Sequence, residues 1–228
     1  MTKEKVKPII KGEEQDTLDN SIKSKNILKT KVIWEWIANL TLSVFYSFFV
    51  LNNVHALIAE FRLSILLVLL FNTGIMILAL TRRIPKDVSV SPFDWLITML
   101  GTLFPLTLIA LPAANDHVAL LALQSFGIAF SMAGLISLRR SFGLVPANRG
   151  IVKTGMYRYV RHPLYTGYIL SLGGFVLQNL SVRNISAYLL FILFESLRLL
   201  AEERFLSKDD EYVEYTKRTH WRVMPYIW

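Results

Sequence analysis

Cysteine is absent from the chain, which excludes disulfides, thiolate metal sites and a cysteine nucleophile. No H-x-x-x-H or similar pair occurs, which argues against zinc catalysis and any other resident metal. A G-x-G-x-x-G turn is also missing, and with it the sequence mark of a dinucleotide-binding strand–turn–helix unit. The longest non-apolar stretches are 1–31, 139–163 and 201–228, so no soluble nucleotide-binding domain has room to fit. The first thirty residues lack the apolar core of a signal peptide. No internal repeat or low-complexity tract is evident. Acidic residues are scarce, 17 against 25 lysines and arginines, for a formal net charge of +8.

What the chain has in abundance is apolar residues gathered in blocks. Of its 228 residues 53% are hydrophobic, and the mean hydropathy is +0.42. Blocks of about 18 or more apolar residues read as transmembrane helices. Six segments can be drawn, about 34–51, 63–80, 93–113, 118–138, 164–180 and 185–200. Pro105 should kink or divide the third, and the fifth, short and with Gly167, Gly173 and Gly174, either spans or re-enters. The expected fold is all-α, a polytopic transmembrane bundle of five to six membrane helices with a cytoplasmic C-terminal cofactor-binding region. Residues 1–31 form a basic arm, 32–138 carry the first four helices, and 139–228 form the catalytic region.

Charge gives the orientation. With the amino terminus inside, the cytoplasmic side receives the lysine-rich arm, Arg82, Arg83 and Lys86, the 139–161 stretch and the tail, while the outer loops receive only Arg62 and Arg183. That asymmetry follows the positive-inside rule, so both termini are expected in the cytoplasm. The basic excess is thereby read as membrane topology, with anionic lipid as neighbour and no nucleic-acid partner. His55 and His117 fall in the outer loops and are read as solvated.

Two places carry ionisable groups at apolar segments, where charge is expensive and asks for an explanation. The first is Arg161-His162-Pro163-Leu164-Tyr165, with Pro163 suited to the first turn of the fifth helix. It follows a glycine-containing loop with Gly143, Gly150 and Gly155. The second is the sixth segment, where Glu195, Arg198 and Glu202 share one helical face at spacings of three and four and Glu203 adjoins it. A plain alternative for Arg198 is an ion pair that pins two helices. The tail adds Tyr212, Tyr215, His220, Trp221, Arg222, Pro225, Tyr226 and Trp228, either an interfacial anchor or a cap offering aromatic faces to a cation.

Arg161-His162-Pro163-x-Tyr165, an apolar stretch and then Glu202-Glu203 resembles the isoprenylcysteine carboxyl methyltransferase and phospholipid methyltransferase superfamily, with its R-H-P-x-Y … E-E pattern. Ser141-Phe142-Gly143, the run Gly155-Met156-Tyr157-Arg158-Tyr159-Val160, and Tyr212, Tyr215, Arg222 and Pro225 look like the approach to the motif and its closing tail. The resemblance covers about residues 134–228. It implies an integral-membrane methyltransferase that uses S-adenosylmethionine, releases S-adenosylhomocysteine, and takes a lipid-like or prenylated acceptor from the bilayer. Carried over by position, Gly155, Tyr157, His162, Pro163, Tyr165, Glu202, Tyr212 and Tyr215 would form the cofactor site. Arg161, Glu202, Glu203 and Arg222 would serve catalysis, the arginines as anchors for an acceptor carboxylate or phosphate. Carboxyl O-methylation of an isoprenylcysteine-type substrate ranks above a phospholipid amine, and both above a small thiol. Two readings of other classes stand beside it. Trp221 to Trp228 looks somewhat like the tail of NADPH-dependent sterol reductases, and a non-catalytic membrane scaffold would keep the fold alone.

Overall fold

The computed structural model describes residues 36, 39–40, 43–81, 83, 85–112 and 115–225. The chain divides into two units, Met1–Thr41 and Leu42–Trp228. The expected basic arm, residues 1–31, lies outside the described residues, as do Tyr226 and Trp228 of the tail. All that follows concerns the second unit.

Its described residues form seven α-helices: α1 Ser43–Ala59, α2 Leu63–Thr81, α3 Pro92–Leu106, α4 Val118–Leu138, α5 Pro163–Gln178, α6 Val182–Leu206 and α7 Asp210–Arg218. The all-helical expectation is broken at one point. β1 Asp87–Val88 pairs antiparallel with β2 Ala147–Asn148 and ties the loop after α2 to the loop after α4.

Helix ends follow local chemistry. Ser91 caps α3 by accepting from the Asp94 amide, with Pro92 in the first turn. The third apolar segment does not run on to Ala113, because α3 stops at Leu106, one residue past Pro105. Asparagine side chains complete the irregular backbone beyond it. Asn184 Oδ1 accepts from the Ile109 amide at 3.1 Å while its Nδ2 donates to the Ile109 carbonyl at 2.9 Å, and Asn179 Oδ1 accepts from the Leu111 amide at 3.0 Å. Non-helical backbone inside an apolar body requires such partners. α5 is a continuous helix of 16 residues, whereas α6 runs 25 residues. Glu202 and Glu203 therefore lie on the last turns of α6, not beyond it.

Two described helices, α4 and α6, are long and apolar enough to cross a membrane. α3 and α5 contain 15 and 16 residues, about 22–24 Å at 1.5 Å per residue against a hydrocarbon core of about 30 Å. Five to six spans is thus a count that helix length alone does not reach. His55 lies within α1, not in a loop, and is exposed, as is His117 before α4.

The helices pack chiefly as two pairs, α4 with α5 and α3 with α6. Small residues let α4 and α5 meet backbone to backbone, as membrane helices often do. A Cβ on Gly127 would fall 2.3 Å from the Ser171 amide nitrogen, and one on Gly167 would fall 2.0 Å from Ser131 Oγ. Larger side chains join α3 to α6, including the stacked rings of Phe104 and Phe194, 5.5 Å apart. One apolar core gathers Tyr46, Phe71, Ile75, Leu135, Phe142 and Leu164. A second lies around Phe49, Ile65, Val68, Leu108, Phe175 and Val176.

The end of the bundle beside the second core is closed by a polar knot. Arg62 bonds Asp116 at 3.2 Å, Asn179 Oδ1 at 3.0 Å and the Leu111 carbonyl at 3.3 Å. Asp116 also accepts from the Ser64 amide and hydroxyl. Burial alone would raise the Asp116 carboxyl, but the Ser64 bonds and the Arg62 charge outweigh it and hold the group below its ordinary value.

Candidate functional site

The opposite end is built where α4 stops, α5 begins and α6 runs out. Pro163 occupies the first turn of α5, fully buried against Gly134 of α4. Orphan amides at a helix start need acceptors, and here the tail supplies carbonyls beside it. The Arg161 amide donates to the Trp221 carbonyl at 2.9 Å, the His162 amide to Arg222 at 2.7 Å, and the Thr166 hydroxyl to Val223 at 2.6 Å. The tail is thus laid across the mouth of α5, and the Arg222 side chain is delivered to α6.

There the two acids divide their partners. Glu203 collects partners: the guanidinium groups of Arg161, Nη2 at 2.8 Å, and Arg222, Nε at 2.6 Å, with His162 Nε2 at 3.3 Å and the Tyr212 hydroxyl at 3.4 Å. Glu202 accepts from the Tyr165 hydroxyl at 2.7 Å. Sequence positions some forty residues apart, at 161–165 and 202–203, are brought to hydrogen-bond distance.

Most of them border a cleft that is partly open to solvent. Of the residues singled out from sequence, Tyr157, Arg161, His162, Tyr165, Glu202, Tyr212 and Tyr215 line it. Gly155, Pro163, Glu203 and Arg222 are not on its wall. Gly155 has φ +62 and comes so close to α4 that a Cβ would meet Ser137 Oγ. It is the turn that seats the 3-10 segment Gly155–Arg158 carrying Tyr157. Glu203 and Arg222 stand behind the wall and fix Arg161.

Three phenols line the cleft outside the candidate spans. Burial, then the charge of Glu202, pushes Tyr157 well above its ordinary value; burial and then Glu203 do the same to Tyr212. Tyr215 is pushed up to about 12, chiefly by burial, and its hydroxyl donates to the Tyr157 carbonyl at 2.7 Å. All three therefore remain neutral donors through the physiological range.

The remaining wall was legible only at its Ser141-Phe142-Gly143 end. Phe142, Val145, Ile151 and Val152 supply its apolar lining, and the buried Arg149 stands among them. The loop is held by the β1–β2 pair, by Arg149 Nε donating to the Arg83 carbonyl at 2.9 Å, and by Asn148 donating to Asp209 at 2.7 Å. A backbone bond from the Glu211 amide, then the Asn148 bond, keeps the Asp209 carboxyl below its usual range. The signals for this loop were the Ser141-Phe142-Gly143 run and Gly150, the latter at φ +96; nothing in the spacing pointed to Arg149. Arg198 also lines the cleft.

Residues 116–209, from the knot through α4, α5 and α6 to the paired acids, match the model of a family described as phospholipid methyltransferase. Over this segment the chain is similar to that family. The matched segment includes every cleft residue named above except Tyr212 and Tyr215, which α7 adds from outside it. The family is one of membrane methyltransferases within the superfamily that the R-H-P-x-Y … E-E pattern resembles. No curated protein sequence matches the chain. Among the described residues no group of three or more histidine, cysteine or acidic side chains is arranged to hold a metal ion.

Proposed function

We propose that this protein is an S-adenosylmethionine-dependent integral-membrane methyltransferase that acts at the cytoplasmic leaflet on a lipid-like acceptor, with both termini on that side and several helices in the bilayer. One observation carries the reading. Within a methyltransferase family segment, the Arg161–Tyr165 run and Glu202-Glu203 close on a single cleft where α5 begins and α6 ends.

The cleft suits this cofactor by its donor set. Glu202 offers a carboxylate to an ammonium, the cations Arg149, Arg161 and Arg198 face a carboxylate, and neutral phenols offer their faces to a sulfonium. Arg161 Nε is buried with no hydrogen-bond partner, an unmet donor in the wall. When bound, S-adenosylmethionine supplies an electrophilic methyl group on a sulfonium, which departs as a neutral thioether. The chain therefore needs no acid for the leaving group. Its work is to align the acceptor with that methyl and to exclude competing water. Tyr157, His162, Tyr165, Glu202, Tyr212 and Tyr215 form the cofactor wall, while Gly155 and Pro163 shape its floor. Glu203 and Arg222 keep the Arg161 guanidinium aimed at the acceptor.

Carboxyl O-methylation of an isoprenylcysteine-type acceptor is the first reading, because the guanidinium groups of Arg149, Arg161 and Arg198 on the wall suit an anion in the cleft. A carboxylate acceptor is already ionised and needs no base. N-methylation of a phospholipid amine is the second, supported by the family description and by Glu202 on the wall as a proton acceptor. Labelled methyl transfer, run in lipid discs on a prenylcysteine analogue and on phosphatidylethanolamine side by side, decides between them. Base-labile label in the prenylcysteine is expected; label in the lipid amine selects the second reading. Label in neither, with NADPH bound in place of S-adenosylhomocysteine, overturns both.

A further inference from the structure

One ion pair runs from the cleft into the bundle, and its acid, Glu195, has no part in the chemistry described so far. Glu195 and Arg198 of α6 are 3% and 5% exposed, and Arg198 Nη1 donates to Glu195 Oε1 at 3.0 Å. Gly101 of α3 makes room for the carboxylate, since a Cβ there would come within 3.0 Å of Oε1. Glu195 Oε2 and Arg198 Nε are buried without hydrogen-bond partners. A pair serving stability alone is poorly served by unmet polar atoms, since burying two ions is costly unless their remaining positions are satisfied.

The far side of Arg198 faces the cleft. Its Nη2 donates to the Gly143 carbonyl at 3.2 Å, and its guanidinium carbon lies 5.4 Å from the centre of the Tyr165 ring. Tyr165 in turn donates to Glu202. Gly143 and Tyr165 are both on the cleft wall, one in the loop after α4 and the other on α5. A single guanidinium therefore links the α3–α6 pair to two other parts of the wall, the loop after α4 and the start of α5.

We infer that Glu195 is a positioning residue: from outside the cleft it orients Arg198, which braces the Gly143 turn and the Tyr165 ring and so sets the width of the methyl-transfer site. The inference rests on the proposed function for the identity of the ligand but not for the brace itself. Arg198 is the intermediary because Glu195 does not reach the cleft wall.

The test uses the full chain in lipid discs with the variant Glu195→Gln, which keeps shape and acceptor but removes the charge. Two readouts are taken. Amide exchange of residues 143–145 and 165–167 in the ligand-free protein reports the brace without reference to any cofactor. Affinity for S-adenosylhomocysteine, with KM and kcat for methyl transfer, reports its consequence. Faster exchange confined to those two segments is expected, with about tenfold weaker S-adenosylhomocysteine binding and a higher KM. Tyr165→Leu, which removes the ring that Arg198 rests on, combined with Glu195→Gln should add less than the sum of the two, because both act through one contact. Should Glu195→Gln not fold, Gly101→Ala presses on the same carboxylate and carries the same expectation. A lower melting temperature with unchanged local exchange, unchanged affinity and full additivity would reduce Glu195 to a helix pin and overturn the inference. Wild-type protein that shows the exchange pattern but binds no S-adenosylhomocysteine would instead sink the proposed function while leaving the brace standing.

Discussion

The two ends of the bundle handle buried charge in opposite ways. At the knot, Arg62 has one acid, one amide and one backbone carbonyl as partners, and Asp116 receives two bonds from Ser64 besides. At the cleft, Glu203 gathers Arg161, His162 and Arg222, yet Arg161 Nε and Arg198 Nε go without hydrogen-bond partners. Closed networks lock a fold, whereas open valences at a cavity invite a ligand to complete them. The knot joins the α1–α2, α3–α4 and α5–α6 corners into one anchored cap, and that cap lets the other end remain unfinished.

The comparison can be broken most severely between the two. Gly167→Val should abolish the folded state, at about 3 kcal/mol or more, because its side chain enters Ser131 across the α4–α5 seam. Loss of a cooperative melt in detergent checks it. Arg62→Ala should come next, costing about 3–5 kcal/mol for an acid left without its partner. KM for methyl transfer in the surviving folded fraction should be unchanged; a shifted KM would erase the division of labour. Glu203→Gln should do the reverse, reducing kcat/KM on the order of 100-fold, as expected for misaligned reactants, with a smaller change in melting temperature.

The smallest effect is acid titration of the knot. Asp116 is held below its ordinary value of 3.8, so its contribution is complete above that value and fades as pH falls through the lower native one. Wild type should lose stability below about pH 4, and Asp116→Asn, already weaker at neutral pH, should lack that part of the acid slope. Parallel acid slopes would remove Asp116 from the knot's account.

The motif residues were readable because apolar surroundings make each ionisable group conspicuous. Arg161, His162, Glu202 and Glu203 stood out against runs of leucine and phenylalanine, and the helical spacing of Glu195, Arg198 and Glu202 gave their common face. Helix ends were less readable. The α3 boundary depended on Pro105 together with Asn184 and Asn179, which lie more than 65 positions away in sequence. Arg149 and the loop wall were hidden for a like reason, since two-residue strands have no period. In the knot, Arg62 was read only as a sparse outer charge, because its partner Asp116 lies 54 positions on.

The seam between α4 and α5 has a mechanical consequence. Where main chain rests on main chain there are no rotamers to rearrange, so neither helix can slide along the other, and the pair behaves as one stiff stave. Any breathing that admits a bulky acceptor must then be borne by α6 and the strapped loop of residues 143–152. The rigid half of the bundle keeps the frame of reference for the cleft, and the yielding half decides what enters it.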